Sequence, residues 1–483
     1  MNPVVSSIPA WHQLDWSIDT ESLFAHFAHE PWAVLLDSAD APHADARYDI
    51  ICASPIATLT HSHGINKLEI VKGQVVESQV IESNDEDPFK LINSLLQRWF
   101  PDTRPCPLPF SGGALGAFGY DLGRSIENLP AIACADIELP DLNIGFYEWA
   151  LIRTYVQNDA DDASNGASKG AIQSHWTLVH ARGAEALEQT LQRLQTRLQS
   201  QPPKATYFEL SGQWQQQMSK ADYLSRFEQI QQYLHSGDCY QINLTQRFEC
   251  QYQGDEWQAY CRLRHANRAP FSAFMRLPQQ AILSISPERF IKLDEGQIET
   301  KPIKGTLPRA KDPELDAKAA QTLANSPKDR AENLMIVDLL RNDIGKVAAP
   351  GSVRVPKLFE VESFPAVHHL VSTITASLAD GASATDLLKA AFPGGSITGA
   401  PKIRAMQIIE ELEPSRRNLY CGSMGYISRD GKMDTSITIR TLVAERGKLY
   451  CWAGGGIVAD SQADAEYQES FDKVSRILPI LKQ

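Results

Sequence analysis

The sequence has no closely paired cysteines, no long apolar run and no basic excess. Its eight cysteines are scattered, and none forms a Cys-x-x-Cys pair, which argues against a zinc site or a thioredoxin-like centre. No stretch approaches the ~20 apolar residues that span a bilayer. The first residues, MNPVVSSIPAWHQLDW, lack the basic and apolar segments of a secretory signal. We therefore expect a soluble, cytoplasmic protein with reduced thiols and no membrane partner.

Charge and glycine spacing exclude two further classes. The formal net charge is -13, and an acidic surface repels phosphate backbones, so nucleic acid is not an expected partner. No Gly-x-Gly-x-x-Gly motif follows a predicted strand, which argues against a dinucleotide-binding, doubly wound sheet. The 483 residues are 43% hydrophobic, which suffices for one or more large cores.

The pattern in residues 1–205, which we take as an N-terminal lobe, predicts short strands separated by turns. Examples are Trp32–Ser38 and Tyr48–Pro55. Apolar residues at helical spacing predict a helix at Asp87–Phe100. The low-complexity stretch Asn158–Gly170 joins two strand-like runs, so we expect an exposed hairpin loop there.

A second region, residues 219–483, follows a helical run at Ala184–Leu198. Ser219 and Asp222 predict the N-terminal cap of its first helix. Strands and helices then alternate irregularly, without an internal repeat. The pattern predicts a mixed α/β or α+β fold.

Two pairs of acidic residues are candidate metal ligands. Asp329 and Glu332 lie three residues apart in KDRAENLMIVDLLRND, and Glu466 and Glu469 do so in ADAEYQESFDK. This spacing places each pair on one face of a helix, and two such faces across a cleft suit a hard divalent cation. Acidic residues near helix starts also favour the helix dipole, so the spacing alone leaves both interpretations open.

Two glycine-containing segments are candidate substrate sites. In FPGGSITGAPK (Phe392–Lys402), Ser396 and Thr398 lead to Pro401 at the first turn of an amphipathic helix, whose free N–H groups suit an anion. An ordinary capped helix is the alternative. Gly454–Gly456 of AGGGIV would also let a ligand approach the backbone.

Lys304 stands in KPIKGTLPR, in a short turn of apolar residues and glycine. A solvent-exposed lysine is the common interpretation of such a position. A lysine in a cleft can instead act as a nucleophile when its amine is neutral, which requires its pKa to fall from ~10.4 towards ~7–8. Burial and a nearby cation would lower the pKa in this way.

Taken together, several segments resemble the chorismate-utilising enzymes. They are GDCYQINLTQRF, SPERF, PIKGT, DRAENLMIVDLLRND, FPGGSITGAPK, DTSITIRTL and AGGGIVADS, and their order and spacing make the resemblance specific. It is dense from residue 219 to the end and looser before, where LLDS and RYDI carry it. The resemblance implies one large two-lobed α/β domain, with two antiparallel sheets packed face to face, helices outside, and the active site between the lobes.

Two positions indicate which chemistry the resemblance implies. Aminating members of the family carry glutamine where water-adding members carry a general-base lysine, and this chain has Gln241. Anthranilate-forming members have alanine in a PIAGT motif where this chain has Lys304, whereas the lysine is typical of members that form 4-amino-4-deoxychorismate. The resemblance therefore implies amination of chorismate with retention of its enolpyruvyl side chain, a step towards 4-aminobenzoate and folate. Thr398 fits either aminating group.

The resemblance also implies how metal and substrate bind. Glu332 and Glu469 would hold Mg2+ against the ring carboxylate of chorismate, with Glu466 and Asp329 nearby or acting through water. The implied substrate-binding residues are Gln241, Thr398, Tyr420, Arg440, Gly454, Gly455 and Gly456. Among these residues, Arg440 would bind the enolpyruvyl carboxylate, because a planar guanidinium suits a two-pronged contact.

Three residues would carry the implied chemistry. Lys304 would attack C2 of chorismate as the C4 hydroxyl leaves, with Glu288 as general acid or base and His369 beside that hydroxyl. Ammonia would then add at C4 and expel the lysine. No segment resembles a glutamine amidotransferase, so the resemblance implies that a separate amidotransferase subunit supplies the ammonia.

A second site and two other functions stay open. Ser38 of LLDS, Asn243 of QINLT, and Pro270 and Phe271 of RAPFSAF resemble a pocket that binds tryptophan in relatives. A packed core between the lobes is the alternative. The chain could also be an anthranilate-forming enzyme, or a catalytically silent tryptophan-binding subunit. The silent subunit is disfavoured because each implied position keeps a chemically competent residue.

Overall fold

Two large antiparallel sheets organise the chain. The structure is a computed structural model that describes residues 8–72, 75–81, 86–156, 173–203, 207–363 and 367–482. The strands in these residues are β1 (Ala10–Leu14), β2 (Val34–Asp37), β3 (Tyr48–Cys52), β4 (Ala57–Ser62), β5 (Ile65–Lys72), β6 (Val75–Ile81), β7 (Gly113–Phe118), β8 (Leu142–Tyr147), β9 (Trp149–Tyr155), β10 (Ser174–His180), β11 (Phe208–Leu210), β12 (Gln215–Gln216), β13 (Gln241–Gly254), β14 (Phe271–Arg276), β15 (Gln280–Ser286), β16 (Arg289–Asp294), β17 (Gln297–Thr300), β18 (Ile303–Pro308), β19 (Arg354–Ser363), β20 (Val367–Ser377), β21 (Gly399–Ala400), β22 (Ser423–Ser428), β23 (Met433–Ile437), β24 (Thr441–Glu445) and β25 (Lys448–Ile457). The helices are α1 (Thr20–Phe24), α2 (Pro88–Trp99), α3 (Ala184–Gln199), α4 (Lys220–His235), α5 (Glu256–Asn267), α6 (Pro313–Ala324), α7 (Pro327–Gly345), α8 (Ala384–Ala391), α9 (Lys402–Leu412) and α10 (Ala463–Asp472).

The strand order interleaves the two parts of the chain. The 13-stranded sheet runs β1-β10-β9-β3-β2-β14-β15-β24-β25-β13-β11, and β12 and β21 also pair with β13. The 12-stranded sheet runs β18-β20-β17-β16-β23-β22-β7-β8-β4-β5-β6, and β19 also pairs with β20. Each sheet thus combines strands from residues 1–205 with strands from residues 219–483. The predicted fold class, mixed α/β with two antiparallel sheets, is confirmed.

The main core lies between the two sheets. It brings Ile50 and Ile282 of the 13-stranded sheet together with Phe146 and Met424 of the 12-stranded sheet. Full burial of such side chains stabilises the fold by about 1.5–3 kcal/mol each. A second apolar cluster covers the outer face of the 13-stranded sheet with helices such as α1 and α5, as expected for helices that lie outside.

Several local predictions from the sequence are confirmed. The helix expected at Asp87–Phe100 is α2, and the Asp87 carboxylate caps it by accepting the Phe89 N–H at 3.0 Å. At the start of α4, Ser219 and Asp222 form a capping box in which each side chain accepts from the other's backbone N–H. The stretch Asn158–Gly170 lies outside the described residues.

The cysteines and helices agree with the composition. All eight cysteines are free thiols. None of the helices in the described ranges is long and apolar enough to cross a membrane.

Candidate active site

The predicted active-site residues come together from elements that pack on both sheets. Lys304 lies on β18 of the 12-stranded sheet. The carboxylates that act on it belong to Glu332 on α7, Glu288 before β16, and Glu469 on α10, which packs against β25 of the other sheet. Residues from different elements of residues 219–483 therefore share one electrostatic environment.

Lys304 is a partly buried lysine without a fixed partner. Within the described ranges, its ammonium group makes no hydrogen bond and no ion pair. Burial lowers the pKa of Lys304, and the positive charge of Lys473 lowers it further, whereas the carboxylates of Glu332, Glu288 and Glu469 oppose the change. The lowered pKa shifts the equilibrium of Lys304 towards the neutral amine, which is the form that a nucleophile requires.

Glu288 is a buried carboxyl group that titrates near neutral pH. Burial raises the pKa of Glu288 to about 7, although the charge of Lys304 and a hydrogen bond from Ser396 act against it. The Ser396 Oγ donates that bond to Glu288 Oε1 at 3.1 Å. A carboxyl group that gains and releases its proton near pH 7 suits general acid and base catalysis.

His369 is an uncharged imidazole on β20. Its Nδ1 lies 2.8 Å from the hydroxyl oxygen of Thr306. Burial lowers the pKa of His369 to about 3, and the neighbouring positive charge of Arg440 contributes. The ring is therefore neutral at pH 7, so it can interact with a hydroxyl group by hydrogen bonding rather than as a cation.

Arg440 is a guanidinium without an anionic partner. No side chain in the part of the chain that the structure describes forms an ion pair or hydrogen bond with it. Burial lowers the pKa of Arg440, Arg476 acts in the same direction, and Glu288 opposes both. An enclosed cation of this kind suits a ligand carboxylate, because charged groups inside proteins are normally paired.

The glycine segment Gly454–Gly456 lies beside Tyr420. Tyr420 is buried and stacks on Trp452, with 5.8 Å between the ring centroids. The pairing of β25 with β24 ends at Cys451, so Gly454–Gly456 pairs only with β13 among the described strands. Lys473 Nζ donates to the Gly454 carbonyl at 2.7 Å, and the other backbone groups of this segment that β13 does not pair can be offered to a ligand.

Gln241 and Thr398 differ in whether their side chains have a hydrogen-bonding atom available to a ligand. The Gln241 Nε2 donates to Asn243 Oδ1 at 3.3 Å, while Gln241 Oε1 is buried and accepts no hydrogen bond from the described residues. That oxygen is available to an N–H donor. The Thr398 hydroxyl instead donates to the carbonyl of Gly394 at 3.0 Å, so it stabilises its own turn.

Three carboxylates predicted to bind metal lie around two lysines. Lys328 Nζ is 3.6 Å from Glu466 Oε1 and 3.9 Å from Glu332 Oε1. Lys473 Nζ is 2.7 Å from Glu469 Oε1. Burial raises the pKa of Glu332 and of Glu466, whereas Lys473 lowers the pKa of Glu469 against the effect of burial. Positive charge close to these three carboxylates therefore stabilises their ionised forms.

The carboxylate oxygens of these acids are of the ligand type that a hard divalent cation prefers. Glu466 Oε2 is buried and accepts no hydrogen bond from any described residue. A Cβ at Gly455 would lie 3.1 Å from that oxygen and 3.2 Å from Glu469 Oε1, so glycine leaves room beside both carboxylates. In the described ranges no three acidic, histidine or cysteine side chains are gathered as closely as a metal site requires. Asp329 lies at the Lys304 turn, where a Cβ at Gly305 would come within 2.9 Å of its Oδ1.

Two of the four residues predicted to bind tryptophan line one small cavity. Pro270 and Phe271 line a cavity of about 80 Å³. Its lining also includes Asp37, Asp45, Tyr48, Tyr426 and Asp434. Ser38 is outside this lining, and its hydroxyl donates to Asp49 Oδ1 at 2.6 Å. Asn243 lies on β13 at the active site.

A larger cavity lies away from these residues. It has a volume of about 510 Å³ near the start of α2 and contains none of the predicted site residues. Asp87 and Asp121 in its lining are paired with Lys389 and Arg124. The candidate active site is therefore identified by converging ionisable groups rather than by cavity volume.

Sequence reasoning missed two lysines of the site. Lys328 and Lys473 neutralise its acids, and both stand four residues from one of them, Glu332 and Glu469 respectively. The i, i+4 spacing of acid and lysine on a helix was the available signal.

The site and the fold agree with comparisons to known proteins. The family described as chorismate binding enzyme matches residues 33–479. Aminodeoxychorismate synthase component 1 from Klebsiella aerogenes is 56% identical over 472 residues, covering 97% of this chain and 98% of that protein. The protein of the same name from Escherichia coli (strain K12) is 55% identical and covers 98% of this chain and 99% of its own length.

A solved structure supports the same assignment. Anthranilate synthase component I from Streptococcus pneumoniae TIGR4 superposes with a TM-score of 0.75 at 30% identity, covering 89% of this chain and 92% of that one. The resemblance seen in the sequence motifs is thereby confirmed. With its two packed sheets and converging ionisable residues, this chain belongs to the chorismate binding enzyme family.

Proposed function

We propose that this chain converts chorismate and ammonia to 4-amino-4-deoxychorismate, in the route to 4-aminobenzoate and folate. The observation that carries the proposal is Lys304, an unpaired lysine whose pKa is lowered by burial, beside a carboxyl group that titrates near pH 7. The relatives named aminodeoxychorismate synthase component 1 from Klebsiella aerogenes and Escherichia coli support it.

Substrate binding relies on charge complementarity. Arg440 pairs with the enolpyruvyl carboxylate through its guanidinium, and the open edge of Gly454–Gly456 adds backbone contacts. Glu332, Glu466 and Glu469 would hold Mg2+ through their carboxylate oxygens, and the charge of the ion would neutralise the ring carboxylate of chorismate. Both carboxylates of the substrate are thus fixed, which orients C2 towards Lys304 and the C4 hydroxyl towards Glu288.

The first step forms a covalent adduct. The neutral amine of Lys304 forms a bond to C2, the two ring double bonds each shift by one position, and the C4–oxygen bond breaks. Glu288 donates its proton to the departing hydroxyl, which leaves as water, while the neutral imidazole of His369 provides a hydrogen bond to it. The retained enolpyruvyl group takes no part.

The second step reverses the bond shifts. Ammonia forms a bond to C4, the double bonds return, and the bond between C2 and Lys304 breaks. Glu288, now a carboxylate, accepts a proton from the attacking nitrogen and is ready for another cycle. The open acceptor Gln241 Oε1 supports this step, because it can accept a hydrogen bond from ammonia.

Three associated features belong to the same proposal. A separate glutamine amidotransferase subunit supplies the ammonia, and the pair acts in the cytoplasm, which the eight free thiols support. Tryptophan binds near Pro270 and Phe271, the two predicted residues that line the cavity of about 80 Å³. Direct roles for Ser38 and Asn243 in that pocket stay a prediction.

One assay tests the proposal against its rivals. The purified chain is incubated with chorismate, Mg2+ and concentrated ammonium, and the products are separated and weighed by mass spectrometry. We expect an amino product that keeps its enolpyruvyl group and yields 4-aminobenzoate when a lyase is added. Fluorescent anthranilate with released pyruvate would identify an anthranilate-forming enzyme instead. Unchanged chorismate, with the amidotransferase subunit and glutamine also present, would identify a silent subunit.

A further inference from the structure

The hydroxyl group of Ser396 has a single hydrogen-bond partner in the described residues, the carboxyl group of Glu288. Its Oγ donates to Glu288 Oε1 at 3.1 Å, across 108 residues of sequence. Ser396 is 6% exposed and Glu288 is 5% exposed, so water does not compete freely for this bond. A buried bond between a hydroxyl and a carboxyl group is directional, and here it joins the glycine-rich turn to the proposed acid–base residue.

Hydrogen bonds to two of its carbonyl groups fix the turn that carries Ser396. The Asn243 Nδ2 donates to the Ser396 carbonyl at 3.2 Å, and the Arg417 Nη1 donates to the next carbonyl, that of Ile397, at 2.8 Å. Arg417 is itself fixed by two bonds to the Glu413 carboxylate, at 2.9 and 2.7 Å. These bonds fix the backbone of the turn on either side of the Ser396 hydroxyl.

The bond has a chemical consequence for the protonated form of Glu288. A protonated carboxyl group has one carbonyl oxygen, which accepts hydrogen bonds well, and one hydroxyl oxygen, which donates. A donor fixed at Oε1 favours the carbonyl form of that oxygen, so the proton resides on Oε2. We propose that Ser396 is a positioning residue that directs the acid proton of Glu288 to one oxygen for delivery to the leaving hydroxyl. This inference rests on the proposed function.

The charged groups around Glu288 determine the sign of the expected effect. Lys304, Lys473 and Arg440 face it and favour the ionised form, as does a backbone bond from Ile303. The Ser396 hydroxyl acts in the same direction. Removal of the hydroxyl therefore raises the pKa of Glu288 further, and the protonated form persists to higher pH.

The test is the pH dependence of kcat for Ser396→Ala, Ser396→Thr and wild type, with saturating chorismate and ammonium. For Ser396→Ala we expect the alkaline limb to move up by about one pH unit and kcat at the optimum to fall about tenfold. Ser396→Thr keeps a hydroxyl and should return the limb to the wild-type pH. The matched control is Ser428→Ala, which removes another buried hydroxyl, one that accepts from the Ser111 N–H at 3.2 Å; its profile should not move.

Two results would overturn the inference. If the alkaline limb of Ser396→Ala coincides with that of wild type, the hydroxyl does not act on Glu288. If kcat falls equally in Ser396→Ala and Ser396→Thr and neither limb moves, Ser396 serves packing alone. The wild-type profile separates these results from a failure of the proposed function, because wild type that forms no amino product overturns both proposals together.

Discussion

The ammonium group of Lys328 lies 3.6 Å from a carboxylate oxygen of Glu466 on another helix. The same group is 3.9 Å from Glu332, so one lysine connects α7 with α10 through the acids proposed to bind metal. A divalent cation at these carboxylates would replace the neutralising charge that the lysine provides. Lys328 and the cation thus compete for the same oxygens.

Removal of the Lys328 charge is therefore expected to strengthen Mg2+ binding. For Lys328→Met we expect the dissociation constant for Mg2+ to fall about fivefold, because a repelling charge near 4 Å contributes about 1 kcal/mol or more. Isothermal titration calorimetry of the purified protein measures this directly. Lys318→Met, an exposed lysine on α6, is the matched control and should bind Mg2+ as wild type does. Unchanged or weaker binding in Lys328→Met would show that the acids do not hold the metal.

The space beside Gly455 leads to a second prediction. Alanine there would place a Cβ 3.1 Å from Glu466 Oε2 and 3.2 Å from Glu469 Oε1, so both carboxylates must shift. We expect Gly455→Ala to require about tenfold more Mg2+ for half-maximal activity, because metal sites tolerate little displacement of their ligands. Gly212→Ala, where a Cβ meets nothing within 4 Å, is the control. Equal Mg2+ requirements in the two variants would contradict the proposed ligands.

Covalent catalysis by Lys304 has a mass signature. With chorismate and Mg2+ but no ammonium, we expect the intact protein to gain the mass of chorismate minus water, located on Lys304 by peptide mapping. Lys304→Ala should lack the adduct and lose at least about a thousandfold in kcat. Lys311→Ala, an exposed lysine in the following loop, should keep both. An active Lys304→Ala enzyme would rule out the nucleophile.

The buried pair Glu413–Arg417 is expected to control stability. Arg417 is 1% exposed and its guanidinium lies 4.9 Å from the ring centroid of Tyr120. Glu413→Gln leaves that cation enclosed without its counter-charge, so we expect a loss of about 3–5 kcal/mol in the free energy of unfolding, measured with urea. Asp338→Asn breaks the exposed pair Arg341–Asp338 and should cost less than about 1 kcal/mol. Similar costs for the two variants would contradict a structural role for the buried pair.

The sequence indicated candidate residues of the site, but it did not indicate which other residues they contact. Resemblance of short local motifs to the family named Lys304, Glu288 and Arg440 as candidates, because each stands in such a motif. The bond from Ser396 to Glu288 joins residues 108 positions apart, and no local pattern encodes such a pairing. Sheet register explains a similar limit, because β13 aligns Asn243 with Gly456 of β25, and only that alignment shows Asn243 at the active site.

Local elements were predicted where side chains close to one another in sequence determine them. The capping residues Asp87 and Ser219 define the starts of α2 and α4 by bonds within three residues. The sheet order could not be obtained in this way, because it depends on packing between remote apolar strands. Family resemblance supplied the two packed antiparallel sheets but not the order of their strands.

The interleaved strand order also has a consequence for synthesis on the ribosome. β7 (Gly113–Phe118) pairs with β22 (Ser423–Ser428), and β2 (Val34–Asp37) pairs with β14 (Phe271–Arg276). The nascent N-terminal half therefore emerges with open strand edges and apolar faces that stay uncovered until most of the chain has been made. Folding is largely post-translational for such a topology, and a stalled or truncated chain becomes a substrate for chaperones and proteases rather than a working half-enzyme.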